Sequence, residues 1–288
     1  MTSLAAHLMP FVQKLRGSKR RYSSAELTAA RIARQASSPV RREPPPLKGV
    51  TVERSDVAGW PVFTVTSNGT TSTVRAVYFH GGSFVYEIAA QHWSLVADLA
   101  RTTGARIVVP IYPLAPAATA SAIVPRAADL AAGADVIMGD SAGGDIALAV
   151  AMVLRDRTGR GPRTILISPV LDVGLTDPRV AELAVRDPWL AIPGAKYAND
   201  LYRAQLAPTD PLVSPLYGSL DGLGPITLFS GTRDMLNADA TRLVALAASV
   251  GHELDYHEAA GMIHVYPLLP IPEARPARAV MRTVLRHP

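Results

Sequence analysis

The stretch Gly139-Asp140-Ser141-Ala142-Gly143-Gly144 decides how the rest of the chain is read. It follows the apolar run Ala134-Asp135-Val136-Ile137-Met138 and leads into an apolar periodic segment from Ile146 to Leu154. The expected order is therefore strand, sharp turn, helix, with Ser141 at the apex. On such a turn the residues two before and two after the serine must be very small, because any side chain there would meet neighbouring backbone. Gly139 and Gly143 meet that requirement. A second reading of the same hexapeptide is an ordinary helix start capped by Asp140 or Ser141. The groups found elsewhere in the chain choose between them.

Working outward, Val74 to Phe79 reads as a buried strand running straight into His80-Gly81-Gly82-Ser83, followed by a helix from about His92 to Arg101. Ile107 to Ile111 is another buried strand, and Ala117 to Ala132 is mostly helical despite Pro125. Beyond the elbow come a strand at Thr164 to Ser168, a mostly helical insertion at Asp177 to Gln205 and a strand at Ile226 to Phe229. A helix from Leu236 to Val250 ends at Gly251, a strand follows at Leu254 to His257, and Pro272 to Arg286 is a final helix. Strands alternating with helices predict an α/β fold with a mostly parallel central sheet. Upstream, Val50 to Glu53 and Pro61 to Thr66 read as strands joined through Ala58 or Gly59. Leu4 to Leu15 and the segment from Ser23 or Ser24 to Ala36 read as helices, and Arg41 to Pro46 breaks the pattern with a stiff proline run.

Serine is a weak nucleophile at neutral pH and needs a base, which in turn needs an orienting carboxylate. Of seven histidines, His264 lies in a turn beyond the closing strand, whereas His257 sits in that strand's interior. Reactive groups of open α/β sheets collect outside the strand carboxyl ends, which favours His264. The same rule selects Asp234, in Gly231-Thr232-Arg233-Asp234-Met235-Leu236, with Asp172 as the alternative. Attack on a carbonyl also builds negative charge on oxygen, and each backbone N–H aimed at it stabilises that charge by roughly 3 kcal/mol. Gly81, Gly82 and Ala142 are the candidate donors, because bare backbone can approach a substrate closely.

His80-Gly81-Gly82 together with Gly139 to Gly144, followed by Asp234 and His264 in that order, resembles the bacterial hormone-sensitive-lipase-like esterases of the α/β-hydrolase superfamily. The resemblance runs from about Tyr78 to the C-terminus, with further matches at Tyr112 to Pro116, Leu166 to Asp172, Asp187-Pro188-Trp189 and Asp210 to Leu216. It implies an α/β-hydrolase fold and a serine esterase acting on short- to medium-chain carboxylic esters through an acyl-serine, without metal or cofactor. It also implies a helical cap made of residues 1–45 and 177–205 over a core of residues 46–176 and 206–288, and a homodimer. Phe84, Tyr86, Trp189 and Tyr197 are candidate pocket walls. A catalytically silent, receptor-like binding protein and an amide or lactone hydrolase with the same three residues are the alternatives. Three departures stand out. Ser83 replaces a third glycine, and Tyr112-Pro113-Leu114-Ala115-Pro116-Ala117 loses two charges of the family's Tyr-Arg-Leu-Ala-Pro-Glu. Met235 replaces the proline after the acid, which is expected to loosen that loop.

Composition sets the outer bounds. With 288 residues, 48% hydrophobic and 18% charged, the chain can bury a large core, which excludes a disordered or collagen-like class. The absence of cysteine excludes disulfides and thiolate chemistry. No apolar run approaches the roughly 20 residues that span a bilayer. The patch from Leu4 to Val12 is a poor signal peptide, so the expected compartment is the cytoplasm. Residues 1–50 carry ten Lys or Arg against Glu26 and Glu43, 10 − 2 = +8, which leaves 5 − 8 = −3 for the remainder. Without interleaved aromatics or a nucleic-acid motif, that basic arm reads as a solvated helix face, and a small-molecule ester is the expected partner.

Overall fold

The computed structural model describes residues 3–37 and 43–288. Part of the basic arm, including Arg41 and Arg42 in the predicted break before the prolines, lies outside the described residues. The chain runs α1 (Leu4–Leu15), α2 (Ala25–Ala36), β1 (Val50–Val57), β2 (Trp60–Ser67), β3 (Arg75–Phe79), α3 (Ala90–Thr103), β4 (Arg106–Pro110), α4 (Ala120–Ala131), β5 (Val136–Asp140) and α5 (Ala142–Thr158). It continues through β6 (Arg163–Ile167), α6 (Pro178–Arg186), α7 (Ile192–Arg203), β7 (Ile226–Gly231), α8 (Asn237–Val250), β8 (Leu254–Ala259) and α9 (Ala274–Arg286).

The eight strands form one sheet in the order β1-β2-β4-β3-β5-β6-β7-β8. β1 to β2 and β2 to β4 pair antiparallel, and every later pair is parallel. Side chains alternate across the parallel strands: Val136 and Met138 join the core on one face, and Ile137 joins the core on the other. Both faces are covered by helices, so β5 is buried along its whole length and its Val136-Ile137-Met138 is apolar toward both faces. β1 extends to Val57, four residues beyond its predicted end, and pairs with β2 up to Val57 opposite Trp60. The turn between them puts Ala58 at φ 48° and Gly59 at φ 85°. Two successive positive φ values match the twist of a two-residue hairpin.

The topology also places the site. After β3 the chain steps to β4 on one side and then to β5 on the other. The strand order therefore reverses between β3 and β5, and a crevice opens outside their carboxyl ends. His80 to Ser83 leaves the end of β3, and Ser141 follows the end of β5.

The N-terminal helices and the α6–α7 segment pack on each other. Gly194 of α7 lies so close to Tyr22 and Thr28 that an added Cβ would sit 2.3 Å from Thr28 Oγ1. Lys19 Nζ donates to the backbone carbonyls of Ala184 and Val185. Tyr22 shares a hydrogen bond of 2.9 Å with Ser83, which ties this layer to the loop after β3. Among the described residues no helix is long and apolar enough to cross a membrane.

Candidate active site

Ser141 sits at φ 52°, ψ −120°, between β5 and α5, and its side chain makes no capping hydrogen bond. That backbone region costs of order 1–3 kcal/mol for a residue with a side chain, so its surroundings must hold it there. They do so through hydrogen bonds from Ser141 N–H to the Ile167 carbonyl (2.9 Å) and from Val170 N–H to the Ser141 carbonyl (3.0 Å). A Cβ on Gly139 would lie 2.0 Å from the Gly143 carbonyl oxygen, and one on Gly143 would lie 2.1 Å from that of Phe79. Both contacts are backbone, which cannot swing aside. The simple helix-cap reading of the hexapeptide is thereby replaced by a strained elbow that presents the hydroxyl.

The hydroxyl has a partner. Ser141 Oγ lies 3.0 Å from His264 Nε2, and His264 Nδ1 lies 2.9 Å from Asp234 Oδ2. All three residues are buried. His264 comes from the loop after β8, and Asp234 comes from the turn after β7. Ser168, buried at the end of β6, accepts a hydrogen bond of 3.0 Å from Val265 N–H and so holds the histidine loop.

Asp140 fastens the loop after β3 to the elbow. Its carboxylate accepts from the Tyr78 hydroxyl and from Gly81 N–H (2.9 Å), and it lies 3.4 Å from His92 Nε2. Burial pushes its carboxyl up, and His92 with these hydrogen bonds outweighs burial and holds it below the ordinary aspartate range. Gly81 N–H is therefore already engaged. That removes Gly81 from the candidate donors, its glycine being required instead because a Cβ would meet Asp140 Oδ2 at 2.3 Å. Gly82 and Ala142 keep N–H groups that donate to no acceptor among the described residues. A cavity of about 240 Å³ lies in front, lined by Gly82, Tyr86, Ser141, Trp189 and His264 together with Arg21, Tyr22 and Arg31 from the N-terminal layer.

Residues 76–268, about two thirds of the chain, match a family model described as the alpha/beta hydrolase fold. The chain belongs to that family. It is 33% identical over 251 residues to a Mycobacterium tuberculosis protein provisionally named acetyl-hydrolase LipR, covering 83% of this chain and 81% of that one. It is 30% identical to an acetyl-hydrolase of Streptomyces hygroscopicus, covering 73% of this chain and 74% of that one. Among solved structures, an esterase of the bacterial hormone-sensitive lipase family superposes with a TM-score of 0.82 at 27% identity, over 99% of this chain and 98% of that one. The resemblance read from the two glycine motifs is thus to the family the chain belongs to.

Within this α/β-hydrolase, several sequence expectations are redistributed. Asp172, the alternative acid, is consumed elsewhere: it accepts from Gly174 N–H (2.8 Å), Thr176, Tyr217 and Arg242 (3.1 Å). His257 stays in β8, 2.7 Å from Asp255 and stacked on Phe229. Of the four aromatic pocket candidates, Tyr86 and Trp189 line the cavity, with Trp189 edge-on to His264 at 5.8 Å between ring centroids. Phe84 does not line it, because its ring is fully buried against Tyr202, 3.7 Å away between centroids. Tyr197, on α7, lies outside the lining as well. The altered loop from Pro113 to Ala117 borders a separate cavity of about 950 Å³.

Asp187 is the residue that pattern reading passed over as a site component. It is buried, and its carboxylate accepts from Trp189 N–H (2.7 Å), Leu190 N–H (3.0 Å) and Met235 N–H (2.9 Å). A proline at 235 has no N–H to give. Met235 therefore fastens the acid loop to the α6–α7 segment, the reverse of the loosening expected from the sequence. Burial pushes the Asp187 carboxyl up, and the neighbouring Asp234 pushes it further in the same direction.

His264 feels burial, which lowers its pKa, and the charge and hydrogen bond of Asp234, which raise it; with Asp187 and Asp140 added, the net position is above the ordinary 6.5. A base must be neutral to accept a proton, so if His264 serves as the base, activity should rise as pH climbs through that raised value. The acid limb of a kcat/KM profile should accordingly have its midpoint above 6.5. In Asp187→Asn the limb should move to lower pH and the alkaline plateau should fall about tenfold, because both a charge and an anchor of the acid loop are lost. A profile measured with p-nitrophenyl butyrate checks both. An unshifted limb would show that Asp187 does not act through His264.

Proposed function

We propose that this α/β-hydrolase is a serine esterase that hydrolyses carboxylic esters with short to medium acyl chains by way of an acyl-serine. The observation that carries the reading is the buried chain Ser141 Oγ to His264 Nε2 at 3.0 Å and His264 Nδ1 to Asp234 Oδ2 at 2.9 Å, opening on a cavity beside two unengaged N–H groups.

In the first half-reaction His264 takes the Ser141 proton as Oγ attacks the ester carbonyl. Asp234 holds the ring with Nδ1–H toward itself and stabilises the imidazolium that forms. The carbonyl oxygen, now negative, receives the N–H groups of Gly82 and Ala142, each worth roughly 3 kcal/mol. His264 then returns the proton to the leaving alcohol. In the second half-reaction water takes the alcohol's place: His264 removes its proton as it attacks the acyl carbon, then returns that proton to Ser141 Oγ as the acyl–Oγ bond breaks and the acid departs. The described part of the N-terminal segment, with α1 and α2, and residues 177–205 act as the cap that walls this step from bulk water.

The size of the cavity, about 240 Å³, favours small acyl groups. Acetyl-hydrolases among the relatives and a related esterase, EstE5, whose crystals were soaked with p-nitrophenyl butyrate, point the same way. The test is a series of p-nitrophenyl esters from acetate to laurate. Highest kcat/KM at acetate to hexanoate, with a fall beyond, is the expected result. A maximum at laurate would overturn the chain-length reading, and no hydrolysis of any member would overturn the esterase reading itself.

A further inference from the structure

The wall of the Ser141 cavity contributed by the N-terminal layer is cationic. Arg21, partly buried, and Arg31, exposed at the rim, both line it. Eight other arginines of the described chain lie within ion-pair distance of a carboxylate: Arg54, Arg101, Arg155, Arg157, Arg179, Arg203, Arg242 and Arg282. Arg21 and Arg31 are not among them, and the hydrogen bond that Arg21 makes goes to the Arg16 carbonyl at 2.9 Å. The guanidinium of Arg31 lies over the Tyr86 ring, 5.3 Å from its centroid. Burial and then the charge of Arg31 both lower the pKa of Arg21, which marks the two cations as neighbours.

Tyr86 supplies an independent sign. It lines the same cavity, and its hydroxyl oxygen is buried with no hydrogen-bond partner among the described residues. A buried hydroxyl without a partner is costly, and two neighbouring cations repel each other. One bound anion relieves both, accepting from the hydroxyl and from the planar forks that suit a carboxylate. Asp140, an acid of the same cavity, does not fill that role, because it is held by Tyr78, Gly81 and His92. Ser141 and this wall line one cavity of about 240 Å³, so a single small molecule with its ester at Ser141 faces both.

We propose that Arg21, Arg31 and the Tyr86 hydroxyl bind a substrate carboxylate, so that the preferred esters are half-esters of short dicarboxylic acids. This rests on the esterase reading above. The chemistry is the same two-step transfer: Ser141 Oγ replaces the alcohol, water replaces Ser141, and the products are one alcohol and one dicarboxylate.

The experiment compares monomethyl glutarate with methyl valerate, which differ in a terminal carboxylate against a methyl group, by pH-stat titration. Wild type should favour monomethyl glutarate about tenfold in kcat/KM, the effect of one charge-assisted contact, with the advantage shrinking at high salt. Arg21→Gln with Arg31→Gln should bring the ratio to about one, and the corresponding double lysine variant should keep it well above one. A wild-type ratio at or below one, or a ratio unchanged in the glutamine variant, overturns the proposal. Calorimetry with free glutarate decides it without turnover: binding to wild type that the glutamine variant loses supports the wall, and no binding to wild type overturns it. Failure of the esterase reading would appear separately, as no hydrolysis of p-nitrophenyl butyrate.

Discussion

Replacing Ser141 by alanine should lower kcat toward p-nitrophenyl butyrate by on the order of 10⁴- to 10⁶-fold, the loss expected when the nucleophile of a three-residue unit is removed. The fold should survive. Ser141 Oγ contacts His264 and caps nothing, and the elbow is held by backbone hydrogen bonds to Ile167 and Val170 that alanine retains. The thermal midpoint should therefore change little, which separates a chemical loss from an unfolded protein. Circular dichroism and steady-state kinetics on the same sample check both halves.

The second large effect belongs to the acid, and it discriminates between two carboxylates that the sequence alone left open. Asp234→Asn should cost about 10⁴-fold in kcat, because an amide facing His264 Nδ1 favours the wrong tautomer and cannot stabilise the imidazolium. Asp172→Asn should leave kcat within a few-fold. Its carboxylate instead joins Gly174, Thr176, Tyr217 and Arg242, so the loss should appear as a lower thermal midpoint. Removing one partner of a buried ion pair destabilises by roughly 3–5 kcal/mol, and less where, as here, Arg242 remains half-exposed and also pairs with Asp239. The reverse pattern, with Asp172→Asn inactive and Asp234→Asn active, would reassign the acid.

What could be read from the residues was what short-range physics fixes. Gly139 and Gly143 announced a turn that tolerates no side chain, and the position of His264 beyond β8 placed it at the right end of the sheet. The alternation of strand and helix followed from buried apolar runs flanked by polar turns. β1 was read short because Arg54 to Asp56 is exposed and carries no apolar alternation; only pairing with β2 makes it a strand. The engagement of Gly81 N–H by Asp140 depends on the contact of the loop after β3 with the end of β5, 59 residues apart, which no local pattern encodes. Phe84 sits in a motif that borders the site, yet its ring turns into the core against Tyr202. Asp187 was visible as part of Asp187-Pro188-Trp189, and the substitution of proline by Met235 was the available signal that a new N–H existed. Its acceptor could be found only in three dimensions.

The most direct test of the central claim, that Ser141 forms a covalent acyl-type adduct with the help of His264, is inactivation with diethyl p-nitrophenyl phosphate followed by peptide mass mapping. The account predicts one diethylphosphoryl group per chain, located on Ser141, with loss of esterase activity in proportion to labelling and no labelling of Ser141→Ala. Stoichiometric labelling at another residue, or full activity in a chain labelled at Ser141, would contradict it.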